Sequence, residues 1–142
     1  MRERFFVDTW GWIALGHKKD SHHQEVVRFY REAAKRKADI VSSDFVLDEL
    51  ITLLFRRENN TEAFDFIQGI LASAAMGYIK IERISADRFD RAWHLRRRVK
   101  EIPKISFTDL TSMVLMKEAG ISNILTEDRH FFQVGMGFQK VP

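Results

Sequence analysis

The spacing of apolar positions along the chain changes period several times, and each change marks an element. Arg4 to Asp8 (RFFVD) is a short apolar run ending in a carboxylate, which reads as a first, central strand. Thr9 to Leu15 predicts a short helical turn closed by Gly16, and the polar stretch HKKDSHH leads into a helix from about Ser21 to Lys37. In that helix Val26, Phe29, Tyr30 and Ala33 recur at helical spacing and face a core. Ala38 to Ser42 reads as the second strand, with Ser43 or Asp44 capping a helix that runs to about Arg57. Glu58 to Asn60 makes a turn. Thr61 to about Ala75 is a further amphipathic helix with Phe64, Ile67, Ile70 and Leu71 inward, ended by Gly77.

The second half repeats the alternation. Tyr78 to Ile84 is a third strand, and Ser85 opens a helix to Lys100 whose core side is marked by Phe89, Ala92 and Trp93. Pro103 prevents that helix from continuing. A helix from Ser106 to about Ala119 follows, ended by Gly120, then a fourth strand from Ser122 to Thr126 and a helical turn from Asp128 to Gln133. Phe138 to Val141 adds an edge strand. Strand and helix in alternation predict one α/β domain over residues 1–142, with a mainly parallel sheet of four to five strands flanked by helices.

Composition narrows the chemistry. The 142 residues contain no Cys, which excludes disulfides, zinc–thiolate sites and thiol nucleophiles and suits a reducing cytoplasm. Any metal must bind through oxygen or imidazole. The N-terminal residues lack the apolar run of a signal peptide, and no segment approaches the ~20 apolar residues of a membrane span, so the expectation is a cytoplasmic protein away from membranes. The formal charge is +3, yet Lys80 to Lys104 holds nine Lys or Arg against four Asp or Glu. A basic band of this kind fits a polyanion, and Arg96, Arg97, Arg98, Lys100 and Lys104 are its candidate phosphate contacts. A solvated helix face is the plainer explanation of any charge run taken alone.

Carboxylates supply the sharper signal. Asp8 follows the first strand, Asp109 lies at a helix start, and Asp128 follows the fourth strand. In the helix after the second strand, Asp44, Asp48, Thr52 and Arg56 form a polar stripe, whereas Glu49 shares its face with Phe45, Val46, Leu50 and Leu53. Asp48 is expected in water and Glu49 inward, where a bare charge is too costly to keep. Asp8, Asp109 and Asp128 each have a dull explanation as caps or first-turn acids. Four acids at one end of one sheet point instead to a hard cation, Mg²⁺ or Mn²⁺, as one or two ions. Thr9, Thr108 and Thr126 are candidates to hold carboxylates or water by hydrogen bonding. Met113 and Met116 pack beneath the site. His17, His22, His23 and His94 read as solvated rather than as ligands, and there is no Gly-rich phosphate loop and no GxSxG.

In this setting FVDTW with Asp8, SSDFVLDELITLLF with Glu49, ISFTDLTSMVLMKEAG with Asp109 and ILTEDRHF with Asp128 resemble the PIN-domain family, and within it the VapC-type toxins of toxin–antitoxin pairs. The resemblance spans nearly the whole chain. It implies a three-layer, Rossmann-like fold and a Mg²⁺- or Mn²⁺-dependent endoribonuclease whose products carry 5′-phosphate and 3′-hydroxyl ends. It also implies a homodimer, and a small antitoxin that silences the toxin through the acidic groove. The family's T-x-D pattern selects Asp128 over Glu127, while Trp10 stands where the family often has a small or hydroxyl residue, which leaves any hydroxyl role to Thr9.

The expected activity is hydrolysis of RNA phosphodiester bonds, with Asp8, Glu49, Asp109 and Asp128 holding the ion and acting as the catalytic set. The alternatives are a PIN-like RNA-processing nuclease that is not a toxin, and a catalytically silent module binding RNA or protein. A phosphoacceptor receiver domain would need an acidic pair after strand one and a Lys on a later strand, and the chain has neither.

Overall fold

The computed structural model describes residues 2–142. Five strands form a sheet: β1 (Arg4–Val7), β2 (Asp39–Ser43), β3 (Ile79–Glu82), β4 (Asn123–Leu125) and β5 (Gln139–Val141). Their order is β3-β2-β1-β4-β5 and every pairing is parallel, with Phe5 beside Ile40 and Phe6 beside Ile124. A parallel sheet needs both faces covered. The chain supplies α1 (Thr9–Gly16), α2 (His23–Lys35), α3 (Asp44–Arg57), α4 (Asn60–Ala75), α5 (Ala86–Arg98), α6 (Phe107–Ala119) and the short α7 (His130–Gln133). Among the described residues no helix is long and apolar enough to cross a membrane.

The strand order has a functional consequence. From β1 the chain builds outward through β2 to β3, then returns to the other side of β1 for β4 and β5. Neighbouring connections therefore diverge between β1 and β4, and a crevice opens outside their carboxyl ends. Phe5, Phe6 and Val7 bury the whole of β1 after Arg4, so the residue that follows is delivered to that crevice from the centre of the core.

Two helices frame it. α6 is buried from Asp109 to Met116, apolar on nearly all sides as a central helix is, with Met113 and Met116 fully enclosed beneath the site as expected. It ends at Gly120, whose left-handed backbone (φ 69°) satisfies the closing carbonyls. α1 approaches so closely that a Cβ on Gly11 would lie 2.3 Å from the Leu125 carbonyl oxygen. Only glycine fits there. α2 lays the half-buried Phe29 and Tyr30 against Phe5, with ring centroids 5.2 and 6.5 Å apart.

Two expected core faces are wrong in part. On α4, Ala63, Ile67 and Ile70 face the core, but Phe64 and Leu71 are 56% and 46% exposed. On α5, Ala92 and Leu95 are buried while Phe89 and Trp93 are 46% and 52% exposed. Each helix touches the rest of the chain along a stripe of small or aliphatic residues. Among the described residues the adjoining stripe of Phe64, Leu71 and Trp93 is left largely uncovered, and Phe89 is covered only in part.

Candidate functional site

Asp8 closes β1 and caps α1: its Oδ1 accepts the Gly11 N–H at 2.9 Å. Its Oδ2 accepts the Thr126 hydroxyl, and Thr126 Oγ1 in turn accepts the Asp128 N–H at 2.9 Å. One hydroxyl just beyond β4 thus positions two of the four acids. Asp8 is only 1% exposed. Burial pushes its carboxyl up to about 7, against the pull of those two hydrogen bonds, and the charges of Asp128 and Glu49 push the same way.

Asp109 sits in the first turn of α6, where the Ser106 Oγ accepts its backbone N–H at 3.0 Å. Ser106 does the capping, so the Asp109 carboxylate is left to face the crevice. Burial comes first among the causes that raise its carboxyl to about 9, followed by the charge of Asp128, a proton shared with Asp128, and the charges of Asp8 and Glu49. In α3, Asp48 is exposed and Glu49 is half-buried on the inner side, close enough to bear on both Asp8 and Asp109. Asp128 closes a local turn, its Oδ1 accepting the His130 N–H at 2.9 Å. Glu127 points elsewhere, to Lys140 at 3.2 Å and His22 at 3.4 Å.

The four acids converge electrostatically, but the tightest cluster differs from the expected one. Asp109, Asp128 and His130 each offer a ligand atom within 4.8 Å of the others. His130 Nδ1 lies 3.0 Å from an Asp128 oxygen and 4.0 Å from one of Asp109. His130 escapes the sequence reading because Asp109 is brought to it only by the fold. The available signal was an imidazole two places after a candidate ligand in a chain without Cys.

The expected hydroxyl residues divide. Thr126 holds two groups; the Thr9 Oγ1 is buried without a partner; Thr108 takes part through its carbonyl, which accepts the Thr111 and Ser112 hydroxyls. Trp10, two residues after Asp8, is half-buried with the Arg57 guanidinium 5.0 Å over its ring. His17, His22 and His23, expected to be solvated, are instead bonded: His17 to Glu58, His22 between Asp20 and Glu127, His23 to the Ala14 carbonyl at 2.8 Å.

The basic band is partly neutralised within the chain. Arg88 and Arg91 share Glu118, at 2.6 and 2.7 Å. Arg96 spends its guanidinium on the Ile102 carbonyl, at 3.1 and 3.2 Å, tying the end of α5 to the loop before α6. Arg97, Arg98, Lys100 and Lys104 are exposed. The same end of the sheet carries aromatic rings in the first turns of three helices: Phe89 lies 4.8 Å from Phe107 and 6.4 Å from Phe45.

Buried carboxylates raised by one another, beside a histidine nitrogen without a partner, form a donor set that fits a divalent cation. Comparison with known proteins agrees with this geometry. The chain is 33% identical over 133 residues to the 23S rRNA-specific endonuclease VapC20 of Mycobacterium tuberculosis, covering 92% of this chain and 93% of the relative. The crystal structure of that protein, described as a sarcin–ricin loop cleaving toxin, matches with a TM-score of 0.81 and 31% identity over 96% of this chain and 98% of the other. VapBC2 of Rickettsia felis, bound to a promoter DNA fragment, shares the fold at a TM-score of 0.73 and 16% identity, over 97% of each chain. The PIN domain model matches residues 5–136, and the chain belongs to the PIN-domain family.

Proposed function

We infer that this chain is a VapC-type toxin ribonuclease, an endonuclease that hydrolyses RNA phosphodiester bonds. The observation that carries the reading is the crevice at the end of β1, where Asp8 and Asp109 are buried among like charges. Such an arrangement stays ionised only with a compensating cation; without one the acids hold protons. Identity of 33% to an rRNA endonuclease over 92% of the chain supports it.

Asp8, Glu49, Asp109 and Asp128 would hold Mg²⁺ or Mn²⁺, as one or two ions. When bound, the ion supplies Lewis-acid stabilisation of the phosphate charge and makes water a stronger nucleophile near neutral pH. Thr126 keeps Asp8 and Asp128 in register. Glu49, half-buried on α3 and near enough for its charge to act on Asp8 and Asp109, would complete the set from the far side of β1. Arg97, Arg98, Lys100 and Lys104 would hold the RNA backbone, a positioning role, with Arg96 bracing the loop that carries Lys100 and Lys104.

The substrate class is structured RNA, with the sarcin–ricin loop of 23S rRNA as the first candidate by likeness to VapC20. The uncovered Phe64, Leu71, Phe89 and Trp93 give the chain apolar surface for protein contacts. A second copy and a small antitoxin are the proposed partners, and this likeness to VapBC assemblies supports the latter. Incubation of purified ribosomes with the protein and Mn²⁺, followed by mapping of RNA ends, tests the reading. Discrete cuts in the large rRNA are expected; intact RNA of every class would refute it.

A further inference from the structure

We infer that His130 is a direct nitrogen ligand of the ion held by the acidic site, which makes the site prefer Mn²⁺ to Mg²⁺. The inference rests on the metal reading above and adds a residue to it. His130 opens α7, and the next residue, Phe131, is fully buried against Phe138, so the helix is pinned to the core beside the crevice. The imidazole is therefore held in place from below.

Its Nδ1 atom is shielded from solvent and has no hydrogen-bond partner. The nearest oxygen, Asp128 Oδ1, is 3.0 Å away, but that atom already accepts the His130 backbone N–H at 2.9 Å. A buried polar atom left unpaired costs free energy, and one so placed in a folded protein calls for a partner. The distances match a shared ion. Octahedral coordination with bonds of about 2.1 Å puts adjacent donors about 3 Å apart and opposed donors about 4.2 Å apart. Nδ1 lies 3.0 Å from an Asp128 oxygen and 4.0 Å from an Asp109 oxygen.

The donor set then decides the ion. Mg²⁺ and Mn²⁺ are both served by oxygen donors, and of the two it is Mn²⁺, a first-row transition ion, that also accepts an imidazole nitrogen readily. Two carboxylates and one imidazole thus favour Mn²⁺ over Mg²⁺. Asp8, whose two oxygens already accept Gly11 N–H and the Thr126 hydroxyl, lies outside this tightest cluster. It contributes charge, and contact through its remaining lone pairs.

The test uses the full chain loaded with Mn²⁺ and read by pulsed electron paramagnetic resonance. Wild type is expected to show the ¹⁴N modulation of a coordinated imidazole, which ¹⁵N-histidine labelling changes and His130→Ala abolishes. Equilibrium binding of Mn²⁺ by His130→Ala should weaken about tenfold or more, with Mg²⁺ binding little changed. Mn²⁺ that binds wild type, is lost in Asp109→Asn, and yet shows no nitrogen coupling would overturn the inference while leaving the acidic metal site standing. Failure of wild type to bind either ion would overturn both. The wild-type spectrum decides the matter even where His130→Ala does not fold.

Discussion

The two ends of β1 solve the problem of charge in opposite ways. At the amino end, Arg4 donates to the Ala119 and Gly120 carbonyls at 2.9 and 2.8 Å, Glu3 pairs with Arg36 at 3.0 Å, and Arg2 lies 3.3 Å from Asp39. Opposite charges meet there, in water. At the carboxyl end, four residues along, the buried Asp8 and Asp109 sit with Asp128 and Glu49, and among the described residues only His130 comes within ion-pair distance of Asp109 or Asp128. Exposed pairs contribute little to stability because water screens them and long side chains resist fixing. Enclosed like charges cost several kcal/mol unless protonated or bound to a cation. The first end balances its charges within the chain; the second gathers charge of one sign, as the proposed cation site requires.

The difference can be broken at either end. The largest effect is expected from Asp8→Asn, which keeps an acceptor for the Gly11 N–H, puts an NH2 donor where the Thr126 hydroxyl now donates, and removes the charge. RNA cleavage in single-turnover assays should fall by about a hundredfold or more, with melting temperature held or raised. Gly11→Ala comes next. Its Cβ would collide with the Leu125 carbonyl oxygen, backbone that cannot swing away, so urea unfolding should show a loss of about 1–3 kcal/mol. Cleavage should drop as well, because the Gly11 N–H holds Asp8.

A smaller effect follows from pH. Both Asp8 and Asp109 ionise in the fold at about 7 and about 9 against an ordinary 3.8, so above pH 4 the folded chain keeps protons that the unfolded chain has released. Ion-free stability contributed by these groups is thus highest in acid and declines as pH rises from about 4 through 9. Asp109→Asn, neutral throughout, escapes its share of that decline. Its melting temperature should gain on wild type by a few degrees between pH 5 and pH 9 in EDTA, and Mn²⁺ should close the gap by stabilising wild type. A constant offset across pH would contradict this. The smallest effect is expected at the other end: Glu3→Gln, which removes the Arg36 pair, should leave melting temperature and cleavage at the limit of measurement.

The α/β order, the five strands and the acidic positions were legible because each rests on local periodicity or on placement after a strand. The choice of Glu49 over Asp48 follows from helical spacing alone, and the structure leaves Asp48 exposed and Glu49 half-buried. Helical spacing shows which residues share a face, yet it does not say whether another layer covers that face. For that reason Phe64, Leu71, Phe89 and Trp93 read as core and stand at the surface. His130 was out of reach for a different reason. Its partner Asp109 lies on α6, which precedes β4 in the chain, and the two meet only once β4 has paired with β1 and brought α7 back against α6.

The enclosed acids either work through a divalent ion or do not cut RNA at all. The direct measurement is cleavage of a total RNA pool by the full chain, with ends mapped, after exhaustive chelation and after graded return of Mn²⁺ or Mg²⁺. The account predicts no cutting in EDTA, and cutting that returns with the ion and leaves 5′-phosphate ends. Cleavage that persists unchanged in EDTA and in Asp109→Asn would contradict it.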